Sequence, residues 1–413
     1  MADVLPLELA CVWLERNAAK LLATRIAPGK PWLLLGQRAE LRRAPLGTVG
    51  IIATWNYPIG LLGIQLIQAL VAGNRVVIKP SERAPRSQAR LIDLARGAAD
   101  EAGVARAEFD VVLRSLPATR EAGTTLLHTE RLDHLVFTGS TSVGRQIAAW
   151  GAETLTPTTL ELSGRDSALV LADANLKVAA RAIWNAVSMN GGQTCMAPRR
   201  ALVAAEIYPA FCSALAYCAA AGPARRLIDA PAAARVAGLA QQAFDLGGRS
   251  LSGVLERECG EGDGAGSCIR PQAIADCQPD WPIVDGDHFG PLLAVVRCKS
   301  VDEMLAVHHR CDQHLATSVY TRNVRAAKAL AARLGAGQVT INDTVLPTAH
   351  PGTSIAGLGE SGWGTSRGGA GLLALTREVA VSVTGSMLRV PVDPPAPGQV
   401  ATISKVLAWW FGR

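Results

Sequence analysis

Apolar positions recur every three to four residues over 7–24, which predicts an amphipathic helix. The pattern then changes. Trp32-Leu33-Leu34-Leu35, Gly36 and a charged run to Pro45 predict a hairpin over 31–46, exposed and suited to pairing with a second subunit. Short apolar runs at 49–53, 74–79, 110–113 and 132–137 read as strands. Helical patterns separate them: 59–71, a segment capped by Ser81 or Ser87 that runs to about 102, and one with Val143, Ile147 and Trp150 on one side. Strands and helices alternating at this spacing imply βαβ units and a parallel sheet, whose ligand crevice lies at the carboxyl ends of the strands. The alternation restarts over about 160–375, which predicts a second α/β domain. Residues 222–285, rich in Ala, Gly and charge, carry little signal. The Pro-rich stretch from 391 to about 403 precedes 406–411, read as a short apolar helix. That helix cannot span a bilayer but can dock on a partner subunit or a membrane surface.

Residues 50–73 are apolar enough to resemble a membrane span. Asn56, Pro58, Gln65 and Gln68 interrupt them, so a strand, a polar turn and a buried helix fit better, and no transmembrane segment is expected. With 413 residues, 49% of them hydrophobic, the chain can bury large cores in two or three domains. A net charge of +6 with no block of like charge excludes a clustered nucleic-acid face. The nine cysteines form no CxxC pair and no Cys/His metal spacing, so no metal is expected. Cys259, Cys268 and Cys277 read as loop thiols. Free thiols, with no charged and apolar leader pattern, point to a cytoplasmic protein.

The strongest chemical candidate is Asn190-Gly191-Gly192-Gln193-Thr194-Cys195. A helical stripe of Ala179, Ile183 and Val187 precedes it and the strand-like Ala201-Leu202-Val203 follows. The two glycines are expected to end the helix in the left-handed C-cap conformation. Cys195 then sits in a tight turn between rigid elements, with backbone N–H groups near to meet developing negative charge. On this stretch alone the better reading is a small buried hydrophobe, as most free cysteines are.

The stretch from Gly139 through Ser140 to Gly144 joins a strand to a helix, where small residues and a helix N-terminus favour a pyrophosphate. An ordinary βα turn has the same letters. Gly357 to Gly362 spells GxGxxG, but it follows no clear strand and precedes glycines, so it is rejected as a dinucleotide site. Lys79 and Glu82, at a strand end, suit the hydroxyls of an adenosine ribose, or are simply a solvated pair. Glu161, beside leucines, suits a partly buried general base, or faces water. Asn56 suits an oxyanion donor, or is a turn residue before Pro58.

Together these segments resemble the aldehyde dehydrogenase family over roughly 45–385. The motifs are Pro45-Leu46-Gly47-Thr48-Val49-Gly50 with Trp55-Asn56-Tyr57-Pro58; Ala72-Gly73-Asn74 with Ile78-Lys79-Pro80-Ser81-Glu82; Phe137-Thr138-Gly139-Ser140 with Gly144; Leu160-Glu161-Leu162; Gly192-Gln193-Thr194-Cys195; Phe289-Gly290-Pro291; and Ser361-Gly362-Trp363-Gly364. The Trp-Asn-Tyr-Pro wording, Leu155-Thr156-Pro157 and the loop Gln193 to Pro198 resemble the class 3, fatty-aldehyde-like branch, as does the apolar C-terminal end. The resemblance implies an α/β fold of two Rossmann-like parallel-sheet domains and a small β oligomerisation element. The cofactor domain would cover 1–162, the catalytic domain 163–375, and a bridging strand and tail 376–413. It implies oxidation of an aldehyde to a carboxylic acid with NAD or NADP, in a homodimer. It also implies Cys195 as nucleophile, Asn56 and the Cys195 N–H as oxyanion donors and Glu161 as base. Lys79, Glu82, Gly139, Ser140, Gly144, Trp55, Asp287 and Phe289 would hold the cofactor.

Several positions depart from the family pattern. Asp287 replaces the Glu that holds the nicotinamide ribose. Ser163 and Arg165 replace the Gly and Lys after the base. Ser354-Ile355-Ala356-Gly357 replaces Pro-Phe-Gly-Gly, which removes an aromatic wall of the substrate funnel. Only 55 residues precede Asn56, so covering helices are expected to be missing. These departures keep two rivals open: an impaired relative that binds nucleotide or a partner, and a cofactor-independent esterase.

Overall fold

The computed structural model describes residues 2–30, 34, 36–220, 222–255, 266–286, 288–385 and 396–411, with backbone alone at 397, 410 and 411. The chain divides into two compact units. One comprises Met1–Leu22 and Ala44–Arg377, the other Ala23–Arg43 and Glu378–Arg413.

The larger unit contains two α/β sheets. The six-stranded sheet runs in the order Gly362–Trp363, Thr158–Leu162, His134–Gly139, Thr48–Ile52, Arg75–Lys79, Leu113–Ser115. Its pairings are parallel except the first, where Gly362 lies opposite Glu161 in antiparallel register. Helices cover both faces, so the central strands read as unbroken apolar runs. Successive side chains still alternate between faces. Ile51, Val76, Ile78 and Val136 meet helix Gly60–Val71 and Leu14 of helix Val4–Leu22. Val77, Leu135, Phe137 and Leu160 meet Ile147 and Trp150.

The seven-stranded sheet runs Arg249–Ser250, Gln272–Ala275, Leu292–Cys298, Arg200–Ala204, Ser167–Val170, Ala316–Tyr320, Gln338–Ile341, parallel except at the first pair. Leu169, Leu202 and Val296 point to one core, closed by helix Ala230–Asp245. Val170, Val203 and Val295 point to another, closed by helices Leu176–Ser188 and Tyr208–Ala219. The fold class expected from the alternation is the one observed.

The smaller unit holds a three-stranded sheet in the order Arg25–Ile26, Gln37–Pro45, Thr376–Thr384. Glu378 accepts from Arg25 at 2.9 Å and lies 3.2 Å from Arg43. It also holds helix Pro397–Phe411, whose Val400, Ile403, Val406, Leu407 and Trp409 are exposed.

Several local expectations are corrected. Gln37–Pro45 pairs with distant strands rather than folding back as a hairpin within 31–46, of which 31–33 and 35 lie outside the described residues. Residues 106–112 are helical, with Phe109 packed on the core, and the strand starts only at Leu113, where pairing with Val76 becomes available. Neither serine caps helix Pro85–Glu101. Its cap is Ala84, and Pro85, with φ already helical, starts it. Val143 faces outward while Ile147 and Trp150 are buried. The tail helix begins at Pro397, nine residues before the expected start, because 397–405 continue the same turn pattern. Cys268 lies on strand Cys268–Ile269 and is disulfide-bonded, so it is not a loop thiol; Cys277 is a free thiol in a loop, buried and donating to the Ile274 carbonyl; Cys259 lies outside the described residues. With Cys268 oxidised, thiol usage no longer argues for a reducing compartment.

Candidate active site

Helix Leu176–Ser188 ends at Met189, which caps it in extended conformation. The left-handed residues follow rather than forming the cap: Asn190, Gly191 and Gly192 have φ of 53°, 63° and 69°. They turn the chain out of the helix into Gln193, Thr194 and Cys195, ahead of strand Arg200–Ala204. Gly192 has no alternative. A Cβ there would lie 2.3 Å from the carbonyl carbon and oxygen of Gly290, so the nucleophile loop rests directly on the Phe-Gly-Pro backbone.

Arg199, 1% exposed, fixes that contact. Its guanidinium donates to the carbonyls of Gly192 at 2.8 Å, Thr194 at 2.8 Å and Gly290 at 3.2 Å. It also stands 5.4 Å from the Phe289 ring centroid. Sequence reasoning passed over this residue. The available signal was an Arg-Arg pair leading into the fully apolar Ala201-Leu202-Val203.

The Asn56 segment is stitched to the same loop. Asn56 Nδ2 donates to the Gln193 carbonyl at 3.0 Å, Asn190 Nδ2 donates to the Asn56 carbonyl at 2.9 Å, and the Tyr57 hydroxyl meets the Thr194 hydroxyl at 2.6 Å. Thr54 Oγ1 donates to Asn56 Oδ1 at 2.9 Å, which aims the amide N–H group at the loop. Buried Gln88 holds the segment from below, donating to the Thr54 carbonyl at 2.7 Å.

Glu161 is buried on strand Thr158–Leu162. Its Oε2 accepts from Ser366 Oγ at 2.9 Å, while Oε1 is buried with no hydrogen-bond partner. A carboxylate oxygen left this way is an open acceptor for a proton or a water. Burial pushes the Cys195 thiol up to about 12; the Glu161 charge adds to this, and Arg367 partly opposes it. His288, buried with both ring nitrogens unpartnered, is held well below the usual imidazole range by burial and then by Arg199, and is neutral.

Cys195 opens on two cavities. The smaller, about 280 Å³, is also lined by Trp55, Asn56, Gly139, Glu161 and Phe289. It lies at the carboxyl ends of strands His134–Gly139 and Thr158–Leu162, where an α/β sheet binds ligands. Trp55 and Phe289 meet edge to face at 5.7 Å between centroids. Ser140 lines the cavity too and caps helix Thr141–Thr154, whose first turn carries no acid, so this N-terminus suits a pyrophosphate. The larger cavity, about 830 Å³, lies against Tyr57, Met196, Val345 and Arg367.

Other sequence candidates fall elsewhere. Lys79 Nζ is bonded to Glu82 at 2.7 Å, and neither residue lines the smaller cavity. Gly144 serves packing, since a Cβ would meet Leu162 Cδ2 at 2.6 Å. Asp287 lies outside the described residues. Arg165 is taken up by Gln313, the Asp285 carbonyl and Glu360. Ile355, 1% exposed, packs with Cys195 and Met196 where the family has an aromatic residue. The rejected GxGxxG forms two two-residue strands rather than a strand-to-helix turn. His308, His309 and His314 place ring nitrogens within 4.8 Å of one another, but both nitrogens of His308 are engaged, by Ser167 and the Leu334 carbonyl.

The sequence profile described as "Aldehyde dehydrogenase family" matches residues 10–381. The chain is 32% identical over 333 residues to the dimeric NADP-preferring aldehyde dehydrogenase of Rattus norvegicus, covering 78% of this chain and 69% of that protein. It is 31% identical over 352 residues to aldehyde dehydrogenase family 3 member A2 of Mus musculus, covering 85% and 70%. The structure of a Mycobacterium tuberculosis aldehyde dehydrogenase complexed with NAD+ superposes with TM-score 0.81 at 27% identity, over 93% of this chain and 78% of that one. The match in profile, in relatives and in fold spans the segments that build the site, and the chain belongs to the aldehyde dehydrogenase family.

Proposed function

We propose that this chain oxidises an aldehyde to its carboxylic acid through a thioester on Cys195, with Asn56 and the Cys195 N–H as oxyanion donors and Glu161 as base. One observation carries the reading. Cys195, Asn56 and Glu161 line one cavity, and the same cysteine reaches a second, larger one. Family membership makes the protein an oxidoreductase that uses NAD or NADP. The smaller cavity fits the cofactor by its donor set: a helix N-terminus without acids, glycine at the strand end and two aromatic walls. Trp55, Gly139, Ser140 and Phe289 would hold it there. When bound, the nicotinamide supplies the acceptor for the hydride that leaves the aldehyde carbon.

The chain's own residues do the rest. A thiol pushed up to about 12 is protonated at neutral pH, so attack requires a base. The free Oε1 of Glu161 takes the thiol proton and the sulfur bonds to the carbonyl carbon. The new oxyanion draws on Asn56 Nδ2, which has a second hydrogen beyond the one given to Gln193. After the carbon is oxidised, Glu161 passes its first proton to solvent and takes a second from the water whose oxygen adds to the thioester; the C–S bond then breaks, the leaving sulfur takes that proton back, and the acid is released. Ser366 holds the carboxylate in place through both steps.

The test is aldehyde-dependent reduction of NAD and NADP with Cys195→Ala as control. Absence of turnover with both aliphatic and aromatic aldehydes refutes the reading. The impaired-relative reading draws on the buried, high-pKa thiol. Cofactor binding together with a Cys195 inert to iodoacetamide is its signature. Glu82 favours NAD over NADP by repelling a 2′-phosphate. A homodimer built on the Gln37–Pro45 sheet is supported by the mostly exposed side chains of its edge strands Arg25–Ile26 and Thr376–Thr384 and by the dimeric relative. Peripheral membrane contact is supported by the exposed apolar side chains of the tail helix. Among the described residues no helix is long and apolar enough to cross a membrane.

A further inference from the structure

The larger cavity has apolar walls, including Leu5, Leu9, Leu61, Val178 and Met196, which suit a carbon body. One group in it does not fit that description. Arg367 lines the cavity alongside Cys195. Its Nε is buried without a partner, and among the described residues its single hydrogen bond is a long one, 3.4 Å from Nη1 to the Thr348 carbonyl. No carboxylate pairs with it among the described residues. The two acids that line the same cavity are committed elsewhere. Asp3 accepts from the N–H groups of Ile59 at 3.1 Å and Gly60 at 2.6 Å, and Asp343 accepts from the Thr344 N–H at 2.6 Å.

The residue is also held in an uncommon backbone conformation, with φ of 62° and ψ of 168°. The turn that produces it is packed tightly: Gly368, next in the chain, has φ of 56°, and Gln68 donates to its carbonyl at 2.9 Å. The guanidinium is therefore delivered to the cavity by a rigid support. A half-buried guanidinium with an unsatisfied donor favours a planar anion able to take two parallel hydrogen bonds. Its charge is felt at the Cys195 sulfur, so the anion would lie close to the reacting carbon. Lys177 and Arg181, exposed on one face of helix Leu176–Ser188, put two more cations at the same cavity.

We propose that the substrate is an aldehyde that also carries a carboxylate, and that Arg367 binds that carboxylate. The proposal names the substrate class of the dehydrogenase site and rests on that reading. Arg367 pairs with the anion, the apolar walls hold the chain between the two ends, and the aldehyde carbon faces Cys195.

Two measurements test it. The first compares kcat/KM for butanal and for succinic semialdehyde, the same four-carbon aldehyde with a terminal carboxylate. Wild type should favour the acid at least tenfold. Arg367→Gln should lose at least tenfold more on the acid than on butanal, chiefly in KM, and Arg367→Lys should recover part of the loss. The second needs no turnover. Cys195 is alkylated with iodoacetate, an anion, and with iodoacetamide, its neutral counterpart. The iodoacetate-to-iodoacetamide rate ratio should fall at least fivefold in Arg367→Gln.

Equal preference in wild type, or an equal loss on both aldehydes, overturns the proposal while leaving the dehydrogenase reading intact. Absence of turnover with any aldehyde sinks the dehydrogenase reading, and the alkylation ratio then decides the anion site alone. An unchanged ratio overturns it.

Discussion

Replacing Arg199 by methionine tests how the nucleophile loop is held. Methionine keeps much of the side-chain volume and removes a cation that satisfies three carbonyls, those of Gly192, Thr194 and Gly290. Charge-assisted hydrogen bonds are worth about 1.5–3 kcal/mol each, so three set an upper bound of roughly 4.5–9 kcal/mol. The loop relaxes in part, and deleting one member of a buried charged network typically costs about 3–5 kcal/mol. That is the expected loss. It is a large share of a total stability of about 5–15 kcal/mol. The catalytic effect has a separate origin. Two of the three carbonyls, those of Gly192 and Thr194, lie just before Cys195 in the loop, and a displacement near 1 Å at a reacting group costs on the order of a hundredfold in rate. Urea denaturation reads the first effect, and kcat with the iodoacetamide rate at Cys195 reads the second. Arg199→Lys should recover less than half of either loss, because a single ammonium cannot span the three carbonyls as a planar fork does. A methionine variant within about 1 kcal/mol of wild type, alkylating at the wild-type rate, would refute the reasoning.

Further outcomes follow from the same geometry. Glu161→Gln keeps the Ser366 contact and removes the base, so kcat should fall by about 10²–10⁴, measured with saturating aldehyde and cofactor. Gly192→Ala puts a methyl 2.3 Å from the Gly290 backbone and should lower the melting temperature and slow Cys195 alkylation together; a variant as stable as wild type contradicts the packing. Burial pushes the thiols of Cys195 and Cys277 up to about 12. The folded state therefore keeps protons that the unfolded chain releases above its ordinary thiol range. This contribution is intact at neutral pH and falls as pH rises past about 9, by about 1.4 kcal/mol per pH unit for each thiol, readable as a falling urea midpoint between pH 8 and 10. Glu82→Gln should raise kcat/KM for NADP relative to NAD; an unchanged ratio would remove Glu82 from cofactor selection.

Apolar periodicity alone was sufficient for the two parallel sheets, because strands buried on both faces must be continuously apolar and their connecting helices amphipathic. The letters marked Gly139 at a strand end and Gly192 after a helix, and a Cβ at either would clash, with the Phe137 ring and the Gly290 backbone respectively. The letters also marked Asn56, Glu161 and Cys195, but each had a bland reading until the backbone placed all three around one cavity. The errors are of one kind. The strand start at Leu113, the partners of Gln37–Pro45 and the cap at Met189 depend on which distant segment is available to pair or pack, and local propensity contains no such information. The roles of Arg199, Ser366 and Arg367 depend on the same distant placement. An arginine in sequence is only a charge. It becomes a brace for a catalytic loop or a cation in a substrate cavity when burial removes water and leaves it particular carbonyls, or none, as partners.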